Sequence, residues 1–593
     1  MNFFIFINLL VLFITKGIRH YSGCGASKLK IKYQSLNIKK TNSKSRKYTP
    51  IKIGFDFTPF EKPDSMDSTT LSKVISIIKE TRDDFAKFLK VRHQKIDLSE
   101  DKEKIMENCG INKIGTNYKD FLKNNDVIIF PTFQDLGDTT LAAAGTCLTD
   151  DEEMPRPIAG RLLINPNINF EIKNTEIFLK YLLLHEITHV LVFNPRLLKI
   201  LGMLKEENSI NYIISPKVLQ EASKHFNCSL DKLPLENQGG EGTAGAHWES
   251  RYMLTDYMIA DTDYREVVMS NITLALFEDT GFYKVNYYTG DLFKFGKNKG
   301  CDFFDKKCIE NGKPISEEFC VEEYQPKCSP SRTIKYRCYI NYYGANFDFG
   351  TLPLDGNDTE NESENEKEKE GENGDEKENG GENEGETDEQ IPEEYQYFPE
   401  DPTKGGYKYA DYCPVAFLMA ADSLSGDYLS RSCRDGNSSS EEDLNEKTGN
   451  NSFCFVSSLL PVSSSKDIIV NPICYEVECD YSNKNIIVKI GSNEVICPTE
   501  GGSLTPSGFK GSIECPKYEE ICSLNTNEVC NGLFSCLDLF AQKDNYKVSY
   551  CDYEGDEEDC QEEDNIHRFR INESKYLSLN LVLMFISFMS FIF

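Results

Sequence analysis

His185-Glu186-Ile187-Thr188-His189 sets two imidazoles four residues apart, with a carboxylate beside the first. On a helix, positions four apart share a face, so both rings can turn on one metal ion while Glu186 reaches a water beside it. Two nitrogen ligands, a general base and an open coordination position are what zinc-assisted hydrolysis of a peptide bond requires. The run before the motif, Ile177 to Leu184, is largely apolar, which sets it on a buried helix. Two ordinary core histidines on such a helix are the competing reading.

Catalytic zinc takes three protein ligands. The compact spacing H-E-x-x-H-x-x-G-x-x-H is broken here, with Val192 at the glycine position and Pro195 at the third histidine position. A β-branched residue is ill suited to positive φ, so either the helix runs on to Asn194-Pro195, where proline stops it, or the turn is strained. Downstream the chain offers only His225, His247 and His567. His225 falls in what reads as a helix end. His247 follows a glycine-rich approach, Gly239 to Gly245, which lets backbone turn sharply close to a site. Met258, in Asp256-Tyr257-Met258-Ile259-Ala260, suits a bend that carries a methionine beneath metal ligands.

From His185 to about Cys338 the chain resembles the leishmanolysin family of surface metalloproteases, metzincins with a long insertion between the second and third zinc histidines. The resemblance rests on Gln238-Gly239-Gly240, on Gly242 to Glu249, on Thr273 to Tyr283 and on Gly296 to Cys301. Upstream, Ala144-Gly145-Thr146-Cys147 and Ile158 to Asn165 resemble the segment forming the substrate-side sheet edge. It implies that His185, His189 and His247 bind one Zn2+, that Glu186 is general base and then acid, and that Met258 is the turn methionine. It also implies protein or peptide substrates of broad preference. Zymogens of this kind often use a pro-region thiolate as a fourth zinc ligand, and Cys24 is the candidate.

The elements that must position these groups give an α+β fold. The expected architecture is a metzincin zinc-protease catalytic domain with the insertion between ligands, then a disulfide-rich, mainly irregular or β C-terminal region. Residues 1–17 read as a signal peptide and 18–49 as a short basic pro-region. An N-terminal catalytic subdomain, 50–189, ends in the zinc helix. It has strands at Ile51–Phe55 and Asp126–Phe130, a helix from Ser68 to Phe88, and Ile158–Ile164 as edge strand. The insertion, 190–246, reads as helical and irregular. Residues 247–350 carry the third ligand, the methionine turn, a helix near Ser270–Asp279 and a first cysteine cluster. An acidic low-complexity spacer, 351–394, a Cys-rich domain, 395–565, and a hydrophobic anchor signal, 566–593, complete the chain.

Composition bounds the compartment. The net charge is −31, and residues 355–394 alone hold 19 acidic residues and 3 Lys. That stretch has too few apolar residues to build a core, so it reads as a solvated spacer, and the acidity argues against nucleic acid as a partner. Twenty-one cysteines suit an oxidising compartment, as do sequons at Asn227, Asn271, Asn357, Asn361, Asn437, Asn450 and Asn572. Tyr576–Phe593 is apolar and uncharged, which favours a GPI attachment signal over a transmembrane tail. The expected protein is a zinc-dependent endopeptidase cutting proteins at the cell surface, or secreted, and held to the membrane by that C-terminal anchor. Adhesion is an expected further role. A catalytically inactive adhesion protein on the same scaffold is the alternative, disfavoured because Glu186 and all three histidines are present.

Overall fold

The computed structural model describes residues 32–35, 47–343, 390–522, 533–538 and 548–563, with short gaps inside these spans. Residues 1–17, Cys24, 344–389 and 564–593 lie outside the described residues. Helices and strands are mixed throughout, and eight disulfides cross-link the described chain.

The site rests on a five-stranded sheet. Its strands are β1 (Gln34–Ser35), β2 (Ile53–Phe55), β3 (Val127–Phe133), β4 (Ala142–Thr149) and β5 (Pro157–Ile164), in the order β1-β4-β5-β3-β2. Parallel neighbours covered on both faces read as apolar runs; accordingly β3, parallel to both its neighbours, is buried from Val127 to Thr132, and every residue of β4 is buried as well. Strand β4 runs antiparallel to β5 and lies outside it. This corrects the expectation that Ile158–Ile164 forms the edge: β5 is flanked by β3 and β4, and Ala142–Thr149 faces the site.

Helix α1 (Ser68–Phe88) starts where the Asp67 side chain accepts from Thr69 N and Thr70 N at 2.7 and 2.9 Å, which satisfies two donors the first turn leaves open. Its apolar stripe, Val74, Ile77, Ile78, Phe85 and Phe88, enters the main core. A short helix α2 (Lys102–Cys109) is tied to β4 by the Cys109–Cys147 disulfide. Helix α3 (Thr175–Leu191) is buried without exception from Leu182 to Leu191, its leucines, Ile187 and Val190 in the core and His185, Glu186, Thr188 and His189 buried with them. Lys180 of α3 bridges to Asp84 of α1 at 3.1 Å. Gly160 of β5 lets α3 come close: a β-carbon there would stand 2.4 Å from Val190 Cγ1.

Helix α3 itself does not run on to Pro195. Val192 N and Phe193 N both reach Thr188 O, at 2.9 and 3.0 Å, and Asn194 caps a new helix, α4 (Pro195–Ile200). Val192 is fully buried in the core and carries no positive φ, so neither of the two alternatives for it holds. The insertion is more regular than expected. It adds a hairpin, β6 (Leu204–Glu207) and β7 (Ile210–Ile213), turned by Asn208 and Ser209 at φ 50° and 64°, the left-handed pair a two-residue hairpin favours. Helix α5 (Pro216–Phe226) follows, ended by left-handed Asn227, and then β8 (Leu233–Pro234) on β7. After His247 come α6 (Ser250–Met253) and α7 (Asn271–Asp279).

A second core lies in an antiparallel six-stranded sheet. Its strands are β9 (Ser452–Ser457), β10 (Asn471–Asp480), β11 (Asn485–Ile490), β12 (Asn493–Cys497), β13 (Gly502–Leu504) and β14 (Ile513–Cys515), in the order β12-β11-β10-β9-β14-β13. Burial alternates along β11, with Ile486, Val488 and Ile490 inside, the period of a half-buried strand. Residues 391–415 do not join that core; Ile391, Tyr397, Phe398, Tyr412 and Val415 pack into the main core around α1 and α3.

Candidate metal centre

Helix α3 delivers His185, Glu186 and His189 on adjacent turns, and the Gly239–Ala246 loop delivers His247 from 58 residues beyond His189. The three Nε2 atoms lie 3.0 Å (His185–His189), 3.2 Å (His185–His247) and 3.2 Å (His189–His247) apart. Nitrogens at ordinary zinc bond lengths on a tetrahedron are about 3.3 Å apart. His225, by contrast, turns its Nε2 to Phe295 O at 2.8 Å and is not drawn in, while His567 lies outside the described residues.

Backbone carbonyls fix the rings. His185 Nδ1 donates to Tyr257 O at 2.7 Å, His189 Nδ1 to Phe193 O at 2.8 Å, and His247 Nδ1 to Thr243 O at 3.0 Å. A carbonyl only accepts, so each Nδ1 carries the proton and each Nε2 presents its lone pair. Three lone pairs aimed at one point repel each other unless a cation lies between them. Burial also holds the rings neutral: it lowers His189 to about 4 and His247 to about 3, and drives His185 well below its ordinary value, helped by the two neighbouring imidazoles. Three neutral, convergent imidazoles are the donor set zinc takes, and among the described residues no other cluster of potential ligands converges in this way.

Glu186 is fully buried, and its Oε2 accepts from Ala144 N of β4 at 2.7 Å. The carboxylate is thus anchored to the sheet edge one residue from the first histidine. The Glu236 backbone braces the third: Glu236 N donates to His247 O at 3.0 Å, and Gly245 N to Glu236 O at 2.7 Å.

Met258 is fully buried in a tight bend. Asp256 Oδ1 accepts from Met258 N at 2.8 Å, while its Oδ2 takes Ser270 N and Thr273 Oγ1 at 3.1 and 2.8 Å. Trp248 N donates to Met258 O at 3.0 Å, and Trp248 Nε1 to Thr273 Oγ1 at 2.8 Å. The bend therefore holds both the residue after His247 and, through Tyr257 O, the ring of His185. Thr188 adds a tie from α3, its hydroxyl 3.0 Å from Tyr257 Oη.

The ring anchors Tyr257 O, Phe193 O and Thr243 O escaped sequence reading because any residue supplies a carbonyl. Asp256 had a signal: an aspartate two residues before Met258 is the spacing at which a carboxylate caps its own turn. Cys24 lies outside the described residues.

With this geometry in view, the likenesses to known proteins can be placed. The model of peptidase family M8, leishmanolysin, matches residues 68–348 and 380–528. The chain belongs to the leishmanolysin family. A leishmanolysin-like peptidase of Caenorhabditis elegans is 27% identical over 483 residues, covering 68% of this chain and 66% of that protein. Leishmanolysin of Leishmania donovani is 24% identical over 451 residues, covering 72% and 66%. A leishmanolysin-like peptidase of Drosophila melanogaster is 42% identical over 100 residues, 17% of this chain. The chain thus spans just under two thirds of the length of the first two relatives. Family membership covers both cores, since the second matched stretch runs through the six-stranded sheet to residue 528.

Proposed function

We propose that the chain is a zinc-dependent endopeptidase that hydrolyses peptide bonds of proteins outside the cell, on a metzincin arrangement of ligands. The convergence of three Nε2 lone pairs beside the anchored carboxylate of Glu186 carries this reading. His185, His189 and His247 would hold the ion. Zinc bound there would polarise the scissile carbonyl and acidify a water. The Glu186 carboxylate would accept a proton from the attacking water and pass it to the leaving amine. The Ala144 N–H holds the Glu186 carboxylate against β4 beside the histidines, and the Asp256–Met258 bend holds the His185 ring through Tyr257 O. Cys24 is read as a pro-region ligand that blocks the fourth position before activation.

Location follows the same reading. Sixteen cysteines form eight disulfides among the described residues, which suits an extracellular site. Membrane attachment is assigned to residues 566–593; among the described residues no helix is long and apolar enough to cross a membrane. The reading is tested on purified full-length chain by metal content and by peptide cleavage with and without a chelator. Zinc near one per chain, and cleavage lost with chelator and regained with zinc, are expected. Glu186→Gln should keep the metal and lower turnover by about 10³-fold. Zinc bound without cleavage would favour the adhesion reading.

A further inference from the structure

The loop that delivers His247 is held from outside by a strap far along the chain, residues 395–413. Asn237, just ahead of that loop, donates its side-chain amide to Asp411 Oδ1 at 3.4 Å, across 174 residues of sequence. Tyr395 joins them: its hydroxyl donates to the Asp411 carboxylate and lies 3.4 Å from the same Asn237 amide. The Tyr409 ring presses on Gly239. A β-carbon there would stand 2.9 Å from Tyr409 Cε1 and 2.7 Å from Thr243 Cγ2, so the glycine is sandwiched between the two. Both lines lead to the metal ligand. Asn237 adjoins Glu236, whose N–H donates to His247 O and whose carbonyl accepts from Gly245 N. Thr243 O accepts from the His247 ring. Helix α6, which starts three residues after His247, packs against the turn Lys408–Ala410 of the strap.

The strap is built to hold that aim. Asp411 and Tyr412 both take the left-handed conformation, at φ 54° and 58°. An aspartate tolerates it; a tyrosine rarely adopts it, and such backbone persists only where the surroundings impose it. Here they do. Tyr397 Oη donates to Asp411 O at 3.0 Å, Gly406 N to Tyr412 O at 2.6 Å, and Tyr407 N to Cys413 O at 3.2 Å. Cys413 is bonded to Cys308. A β-carbon at Gly406 would lie 2.1 Å from Cys413 O, so only glycine lets the two backbones come so close. The outcome is a buried carboxylate turned toward Asn237, Tyr395 and the charge of Arg251 in α6. We propose that Asp411 and Tyr409 are positioning residues for the third metal ligand: acting through Asn237 and Gly239, they fix the 236–247 loop and with it the His247 ring. The inference rests on the metal reading of the three histidines, not on peptide cleavage. Groups that orient a ligand in this way set how well it binds, because a ring slightly misdirected loses much of its bond.

The test uses full-length chain and two readings. Competition with a chromogenic chelator gives zinc affinity, and the visible absorption of the cobalt-substituted protein reports the geometry of the ligands. Asp411→Ala and Tyr409→Ala should each weaken zinc about tenfold and alter the cobalt bands. Tyr409→Phe, which keeps the ring against Gly239, should restore most of the affinity and the bands of the unaltered chain. Asp411→Asn, which keeps an acceptor for Asn237, should fall between. Variants that lower the Trp248 unfolding transition but leave zinc affinity and cobalt bands unmoved overturn the proposal, since the strap would then serve the fold alone. Equal losses in Tyr409→Ala and Tyr409→Phe overturn it as well. If Asp411→Ala loses its native Trp248 emission, the two Tyr409 variants and Asp411→Asn carry the test. Should zinc weaken in the variants as expected while the unaltered, zinc-loaded chain cuts no peptide, the peptidase reading falls and the positioning role stands. Cleavage by the unaltered chain with zinc affinity equal in every variant does the reverse.

Discussion

The helix α3 region and the six-stranded sheet hold their shapes by opposite means. Around α3 the interior is rich in buried polar groups: His185, Glu186, His189, His247, Asp256, Ser270 and Thr273 are all shielded from water. Almost every one is fixed by a named hydrogen bond. The sheet buries Phe455, Ile473, Tyr475, Ile486, Val488 and Ile513, and few polar side chains. Its frame is set by cystines, Cys479–Cys522 and Cys497–Cys515 within it, Cys433–Cys474 at its margin and Cys328–Cys454 leading back to the rest of the chain. Burying polar groups costs stability unless each is paired, and a reactive centre has no alternative to burying them. The lesson is a division of labour: precision through polar pairing in one region, durability through cross-links in the other.

Acid should separate the two regions most strongly. An unfolded histidine titrates near 6.5, whereas folding lowers His189 to about 4 and His247 to about 3. Below pH about 6.5 the unfolded chain therefore binds protons that the folded chain refuses, and stability falls as pH is lowered through that window. For metal-free protein, His189 alone should remove about 3 kcal/mol by pH 4, with His247 and His185 adding to the loss. The chain's one tryptophan, Trp248, stacks edge-on to Phe193 at 5.0 Å beside the site. Urea transitions followed by its emission at pH 7 and pH 4 would report this region specifically. A midpoint that holds steady across that range would break the comparison.

Reducing the sheet's cross-links should do the reverse. The paired substitution Cys479→Ser with Cys522→Ser opens a loop of sequence separation 43, and removing such a bridge typically costs about 2–5 kcal/mol. The loss is expected in the sheet alone, seen as earlier proteolytic nicking between residues 452 and 522, while the Trp248 transition and peptide turnover stay put. If turnover fell in step with the nicking, the two regions would be one cooperative unit.

Gly160→Ala probes the contact between sheet and metal helix. The added carbon would meet Val190 Cγ1 at 2.4 Å and the backbone oxygen of Gly145 at 3.1 Å. Overpacking of this kind costs about 1–3 kcal/mol. Because Val190 adjoins His189, zinc affinity should drop along with the Trp248 transition; competition with a chromogenic chelator measures it. Unchanged affinity would mean that α3 slides without disturbing its rings.

Much of this was legible in the sequence because it depends on side-chain type. The spacing of His185 and His189, the glycine-rich lead into His247, and the capped, periodic stretch from Ser68 to Phe88 each reflect local chemistry, and the structure has a helix over those last bounds. What escaped depends on tertiary context. Strand β4 begins Ala142-Ala143-Ala144-Gly145, residues that fit a pleated sheet poorly. It becomes a strand because β5 offers it a partner and α3 covers it, so the more β-like Ile158–Ile164 looked like the edge. The hairpin at Asn208-Ser209 was hidden for another reason: Asn-Ser is a weaker turn signal than Asn-Gly. Strand β1 carries almost no local signal at all, being two polar residues in a basic stretch.

Thr188→Val is the smallest change and the finest probe of polar pairing. The hydroxyl sits 2.8 Å from Leu184 O, inside its own helix, and 3.0 Å from Tyr257 Oη across the site. A serine or threonine bonded to the carbonyl four residues back gains little from it, so the value of this hydroxyl lies in the link to Tyr257. Valine has nearly the same volume, and the variant leaves one buried phenol without that partner, at a cost of about 1 kcal/mol. The Tyr257 carbonyl still anchors His185 Nδ1, so zinc stoichiometry should be unchanged. If the tie helps to hold the bend, affinity for zinc should fall about threefold, by the tenfold-per-1.4 kcal/mol relation applied to part of that energy. A Trp248 transition lowered by about 1 kcal/mol with zinc affinity unmoved would show instead that the three carbonyl anchors suffice to position the rings, and that Thr188 serves the fold alone.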